Sequence, residues 1–425
     1  MTIKKIDPAE KIRGQLVVSG DKSISHRALM LSAIAQGTST LHGLSNAEDV
    51  SCTADCMRHL GIHIENDGFA TIVHGKGLQG LSAPSQVLDA GNSGTTIRLL
   101  AGILAGQPFT TKIDGDASLR ARPMNRIIKP LAAMGARITG KDDGFAPLVI
   151  EGTALKALHY DMPMASAQVK SAIMLAALFA SGETTIKQPA QTRDHTERML
   201  RCMNVPVVVE KGLVRITQQQ PVAGHLSIPG DFSSAIFFMA AAFMLPDSEL
   251  MIHNIGLNPT RSYALKLLSR AGANLAIENM AVKNGEETAN MAFSTSALTA
   301  FHAKGPEIPF IIDEIPILAV MATQAEGTSS IREAAELRVK ESDRIHTIAT
   351  NLKKMGATVR EFEDGLEIDG PVKLQGAEID SFGDHRIAMA FAIAGLIAEG
   401  STTIQNADAA SVSFPDFFTT LEGLI

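Results

Sequence analysis

The residues best suited to chemistry stand at the openings of apolar runs. From Gly20 to Arg27 the chain sets Lys22, Ser23 and, one turn later, Arg27 ahead of the apolar stretch 28–35. A helix start exposes unpaired N–H groups and a positive dipole end, so two cations and a hydroxyl there suit an anion, phosphate above all. A plain capped helix with solvated Lys22 and Arg27 accounts for the segment equally. A second opening, Asn92–Arg98, brings small hydroxyls to Gly94, where a ligand could reach the main chain; Arg98 serves structure as readily as binding. Arg120 and Arg122, just before Pro123, form a polar loop that reads either as a lid or as solvated arginines. In the third opening, Ser166-Ala167-Gln168, Gln168 at the mouth of a buried helix needs a partner, from a ligand or from its own turn. The cluster 192–197 resembles a capping box, which leaves Arg193 as its candidate contact.

Acid–base groups concentrate in the C-terminal half. Ile311-Ile312-Asp313 reads as an apolar strand ending in a carboxylate, before a helical turn containing Pro316; an ordinary N-cap is the alternative. Glu336–Arg344 is the densest charged segment. As a helix it would put Lys340 and Arg344 on one face, with Glu341 turned away by about 100°, and a solvated, salt-bridged helix is the default for such a run. Arg386 stands at the mouth of the most apolar helix, where it asks for an anion. Lys22, Arg27, Arg122, Lys340, Arg344 and Arg386, with Asp313 and Glu341 among them, come from both halves of a chain whose net charge is −7. An acidic protein gathering these cations around one cleft should bind small substrates bearing several negative charges, with closure expelling water.

The elements that must position these residues repeat. Openings at Ser23, Gly94, Ser166, Ser233, Asp313 and Asp384 recur at roughly 70-residue intervals, each predicting a helix of about four turns that stops at Gly37, Gly106, Gly182, Pro246, Gly327 or Gly400. A short strand, a second helix, a turn and another strand follow in most units. The turn carries a left-handed cap signature at Gly61, Gly135, Asn204, Gly272 and Gly356. Gly20-Asp21 recurs as Gly230-Asp231, three units later, and groups the units into halves. The expected domains are 18–225, and 1–17 with 226–425, with the active cleft beside the two crossings.

Composition narrows the function classes. Hydrophobic residues make up 45% and charged residues 20% of the 425, which describes an ordered globular protein of two domains. The apolar stretches around 235–245 and 387–398 are too short to span a bilayer, and the N-terminal dozen residues lack the apolar core of a signal peptide. Negative net charge, no Trp and two Tyr argue against a nucleic-acid protein. Three cysteines make no disulfide framework, and Cys52, Cys56 and Cys202 read as small buried residues in a cytoplasmic protein, with no metal expected.

The motifs themselves are recognisable. GDKSISHRA at 20–28, GNSGTTIR at 91–98, RP at 122–123, SAQVKSA at 166–172, DE at 313–314, LRVKESDRI at 337–345 and GDHRIAMA at 383–390 occur in family order across nearly the whole chain. In this the sequence resembles the 5-enolpyruvylshikimate-3-phosphate synthase family. The resemblance implies an α/β fold of two similar domains, each of three βαβαββ units with buried parallel helices, an inside-out α/β barrel. It implies transfer of the enolpyruvyl group of phosphoenolpyruvate to the 5-hydroxyl of shikimate 3-phosphate, in aromatic amino acid biosynthesis, with no cofactor. It further implies a monomer and makes glyphosate a candidate inhibitor. In the family mechanism the phosphoenolpyruvate methylene is protonated, the hydroxyl adds, and the tetrahedral intermediate loses phosphate.

Carried over by motif, Glu341 is the implied proton donor to carbon and Asp313 the acceptor of the hydroxyl proton, with Lys22 stabilising developing charge. The shikimate 3-phosphate positions are Lys22, Ser23, Arg27, Ser166, Ala167, Gln168, Arg193, Asp313 and Lys340. Those for phosphoenolpyruvate are Lys22, Gly94, Arg122, Gln168, Arg344 and Arg386. Some members have Ser where this chain has Ala167, Asn where it has Glu336, and Lys where it has Val412, differences that read as branch variation because the acid–base pair is intact. The related transferase acting on UDP-N-acetylglucosamine carries Cys or Asp where this chain has Ala117. A non-catalytic phosphometabolite-binding protein on the same scaffold would have no use for both Asp313 and Glu341.

Overall fold

The computed structural model describes residues 2–425. The chain forms two compact units: one comprises Gly20–Ile228 with Val282–Glu286, the other the segment through Ser19 with Pro229–Ala281 and Glu287–Ile425.

In the first unit the helices Lys22–Ala33, Gly94–Leu104 and Ala167–Ala177 are buried along nearly their whole length. Past their polar first turns the residues are apolar nearly all round each helix, so little polar face remains to meet water. Three four-stranded sheets accompany them. Each combines one parallel and two antiparallel pairings, as where Thr110–Asp114 runs parallel to Leu88–Asp89 and antiparallel to Phe145–Glu151. The first sheet is completed from far along the chain, by His225–Ser227 beside Gln36–His42.

The second unit repeats the plan with the buried helices Phe232–Met244, Ile315–Ala322 and His385–Leu396. The N-terminal segment supplies Ile3–Ile6, antiparallel to Thr402–Gln405, and Arg13–Leu16, parallel to the strand Glu249–Gly256. Phe237 and Phe238 pack edge-on or tilted against Phe417, which docks the C-terminal helix Phe417–Glu422; each such ring buries about 2–3 kcal/mol of apolar surface. Among the described residues no helix is long and apolar enough to cross a membrane.

Local signals explain why helices begin where they do, with corrections to the sequence reading. Ser166 and Asp384 cap as expected. At the Gly-Asp turns the cap is Asp21 or Asp231, so Ser23 and Ser233 lie inside the first helical turn. Ser93, not Gly94, caps the second helix. Each such cap contributes about 1 kcal/mol. The helices are nearer three turns than four, 8 to 13 residues, because the chain leaves the helix before reaching the Gly or Pro. Gly20 is fixed by close approach: a Cβ there would stand 1.8 Å from the Gly43 carbonyl oxygen. The five second-helix turns all have left-handed backbone, from Asn204 at φ 61° to Gly135 at φ 100°.

Two larger expectations fail. Ile308–Ile311 is a helical turn and not a strand, so Asp313 lies in the link between two helices. The charged segment is not one helix either. Ala335–Val339 forms a 3-10 turn, Lys340 is extended at φ −82° and ψ −151°, and the next helix starts at Arg344. Periodic charge mimics a helical face, but this segment folds inward instead. Of the cysteines, Cys56 is buried, Cys52 half-buried and Cys202 exposed, so the expectation of burial fails for Cys202. Burial, with neighbouring carboxylates, pushes the Cys52 thiol up to about 11, and burial with Cys52 pushes Cys56 up to about 12.

Candidate active site

In the first unit the predicted residues are joined by a network at the helix N-termini. Lys22 opens its helix and pairs with Asp49, 2.8 Å away on the helix Glu48–His59. Arg27, one turn in, donates to the Ser23 carbonyl at 2.8 Å, to Ser171 Oγ at 2.9 Å and to Thr196 Oγ1 at 2.6 Å. Burial lowers the Arg27 guanidinium to about 10, while Glu197 and Asp21 oppose the shift, so it remains a cation at neutral pH. Those bonds bring the helix carrying Ala167 and Gln168, which Ser166 caps, up to the segment bearing Arg193. Beneath lies a buried ion pair, Lys170 Nζ to Glu197 at 2.6 Å, and Lys170 also donates to the Arg193 carbonyl at 3.0 Å. Glu197 therefore anchors Lys170 and does not close the expected capping box; the cap position Asp194 makes no side-chain cap bond.

Gln168 has found partners on the neighbouring helix: its amide donates to Thr95 Oγ1 at 3.1 Å and its oxygen accepts from Arg98 at 2.7 Å. Arg122 follows the short helix Ala117–Arg120 and donates to Asn92 Oδ1 at 2.6 Å and Ser118 Oγ at 3.0 Å. Both guanidiniums converge on Gly94. A Cβ there would lie 2.9 Å from Arg98 Nη1 and 3.3 Å from Arg122 Nη1. A helix start without a side chain, flanked by two arginines, is a cradle for a phosphoryl group or carboxylate.

In the second unit the centre is Arg344, a fully buried guanidinium. It donates to both oxygens of Asp384, at 2.8 and 3.2 Å, pairs with Glu341 Oε2 at 2.6 Å and reaches Asp313 Oδ1 at 3.5 Å. Burial would lower its pKa, but Asp384 and Glu341 outweigh that and raise it, so the charge is permanent. Arg386 donates to the Asp313 carbonyl at 3.0 Å, with its Nε 3.8 Å from Asp313 Oδ1. Arg261, also buried, approaches Asp313 at 4.0 Å while binding Glu314 at 2.9 Å and Asp231 at 3.3 Å. Burial lowers the pKa of Lys340, against the opposing pull of Asp313 and Glu341. One buried arginine thus gathers three carboxylates, Asp384 most closely, then Glu341 and Asp313, with Lys340 and Arg386 beside them.

Three groups escaped the sequence reading. Asp49 pairs with Lys22 and Asp384 locks Arg344, yet Asp49 sits in the first turn of its helix, where a carboxylate is ordinary, and Asp384 looks like a cap. Arg261 was not singled out at all; its partners are 30 to 53 residues away. The one available signal was a charged residue near apolar sequence, which is too common to select them.

Comparisons with known proteins identify the family. The family model EPSP synthase (3-phosphoshikimate 1-carboxyvinyltransferase) matches residues 6–421. A 3-phosphoshikimate 1-carboxyvinyltransferase of Solibacter usitatus is 50% identical, covering 99% of each chain. One from Synechocystis is 51% identical over 96% of this chain and 93% of its own. The solved EPSP synthase of Acinetobacter baumannii superposes with a TM-score of 0.88 at 42% identity, covering 99% of this chain and 97% of that one. On its motifs, its fold and its relatives, the chain belongs to the EPSP synthase family.

Proposed function

We propose that the chain transfers the enolpyruvyl group from phosphoenolpyruvate to the 5-hydroxyl of shikimate 3-phosphate, releasing phosphate, with the two clusters acting on one pair of substrates. The observation that carries this reading is Arg344, which grips Glu341 and Asp313 through one buried guanidinium. A carbon acid and an oxygen base are what addition followed by elimination requires.

Arg27, Ser23, Ser166, Ala167, Gln168, Arg193 and Lys340 hold shikimate 3-phosphate, and Gly94, Arg122, Arg344 and Arg386 hold phosphoenolpyruvate. An anion arriving at Arg344 competes with Glu341 for the guanidinium and weakens the 2.6 Å pair that favours the carboxylate form, readying Glu341 to carry a proton. That proton adds to the methylene carbon. The 5-hydroxyl oxygen then bonds to the adjacent carbon as Asp313 takes the hydroxyl proton. In the elimination the new methyl group returns a proton to Glu341, the C–O bond to phosphate breaks with the leaving phosphate taking up the proton that Asp313 had accepted, and the double bond is restored. Lys22, freed from Asp49 by substrate, stabilises the charge that develops.

The reading carries with it a cytoplasmic monomer, and glyphosate as a competitor for the phosphoenolpyruvate positions. The test is phosphate release from phosphoenolpyruvate with shikimate 3-phosphate or UDP-N-acetylglucosamine as acceptor. Release with the first alone supports the reading. Release with the second would assign the chain to the sister reaction, and binding without release would make it a non-catalytic protein.

A further inference from the structure

The first sheet of the first unit carries a cluster that the proposed reaction does not use. Strands His63–Asn66 and Thr71–Lys76 pair antiparallel in a register that sets His63 opposite His74. Side chains alternate across a strand, so Glu65 projects from the same face as His63. The imidazole rings lie 5.0 Å apart, inclined at 23°. Both Nε2 atoms face one oxygen of Glu65, at 2.6 Å from His74 and 3.3 Å from His63. One nitrogen or oxygen from each of the three residues falls within 4.8 Å of the others.

Tetrahedral ligands on bonds of about 2.0–2.1 Å stand about 3.3 Å apart. The His63–Glu65 pair already meets that spacing at 3.3 Å, the His74–Glu65 pair is shorter at 2.6 Å, and His63 and His74 have ligand atoms within 4.8 Å of each other, so rotation of exposed side chains brings the set to it. Thr38 pairs with His74 across the next strand, and its Oγ1 lies 3.2 Å from His74 Nδ1. A hydrogen bond at Nδ1 leaves Nε2 as the ligand nitrogen and fixes the ring.

We propose that His63, Glu65 and His74 form a surface site for one divalent transition cation, zinc or another metal favouring imidazole and carboxylate, with water completing the shell. The site lies apart from the residues assigned to the reaction. The spacing 63, 65, 74 matches no ligand motif, and strand pairing alone assembles it. A bound ion would clip the two strands together across the turn at 67–70.

The experiment is calorimetric titration of the full-length, chelator-treated protein with zinc chloride, without substrates. Wild type should show one saturable site in the micromolar range. His63→Ala, Glu65→Gln and His74→Ala should each weaken it by roughly tenfold or more, and Thr38→Val by less. All three ligand positions are exposed or half-buried, so an unchanged unfolding midpoint without metal and unchanged phosphate release confirm intact protein. Equal binding by wild type and the three ligand variants, or no saturable binding up to about 1 mM, would overturn the proposal. Its outcome is independent of which acceptor the enzyme uses.

Discussion

Gly94→Ala separates site geometry from folding, because the substitution is gentle to the backbone and harsh to the cradle. Gly94 is the first residue of a helix, where alanine is no worse than glycine. Its Cβ, however, would stand 2.9 Å from Arg98 Nη1 and 3.3 Å from Arg122 Nη1, inside ordinary contact distance. Both arginines are buried and tethered, Arg98 to Gln168 and Pro123, Arg122 to Asn92 and Ser118, so each gives way only by loosening those bonds. Loss of one charge-assisted hydrogen bond to a phosphoryl or carboxylate oxygen costs about 1.5–3 kcal/mol. At about 1.4 kcal/mol per decade, KM for phosphoenolpyruvate should rise by roughly 10- to 100-fold. Initial rates of phosphate release should show that rise at saturating shikimate 3-phosphate, with KM for the acceptor changing by less than about threefold and a loss of stability of about 1 kcal/mol at most, that of one loosened bond. An unaltered phosphoenolpyruvate KM, or both KM values rising together, would refute the reasoning.

Other perturbations read other parts of the site. Glu341→Gln and Asp313→Ala should each lower kcat by at least about a hundredfold in stopped or coupled phosphate assays while circular dichroism stays native. Lys22→Ala should raise the phosphoenolpyruvate KM and lower kcat together, and a change in one alone would contradict its double role. Asp384→Ala strips the fully buried Arg344 of its principal partner, leaving Glu341 and Asp313, and should cost about 3 kcal/mol in urea unfolding. Burial, then Lys22 and Arg27, holds the pKa of His26 well below 6.5. The unfolded chain therefore binds a proton that the folded one refuses, and stability falls as pH drops below about 6.5, by up to about 1.4 kcal/mol per unit. His26→Asn should flatten that slope, and identical slopes would contradict it.

What the sequence made legible was local. The left-handed caps at Gly61, Asn204 and Gly356 and the twin Gly-Asp turns follow from contacts within a few residues, and they located the repeats. Helix lengths were overread because Gly37 and Gly327 sit in the following strands, several residues beyond the true ends. The charged run at 336–344 defeated periodicity, since Lys340 turns extended to bring Arg344 inward. Its partner Asp384 is 40 residues away, and Lys22 finds Asp49 across 27. His63 and His74 meet only through strand register. Contacts of that kind leave no trace in spacing, so the residue types of the site could be named while the grip that holds them could not.

The most direct test of the account is a crystal structure with shikimate 3-phosphate and a non-reacting phosphoenolpyruvate analogue both bound. Lys22 and Arg344 should both contact the same pair of ligands, with Glu341 turned from the guanidinium toward the reacting carbon. Ligands held by one unit alone, with Lys22 and Arg344 facing unrelated surfaces, would contradict it.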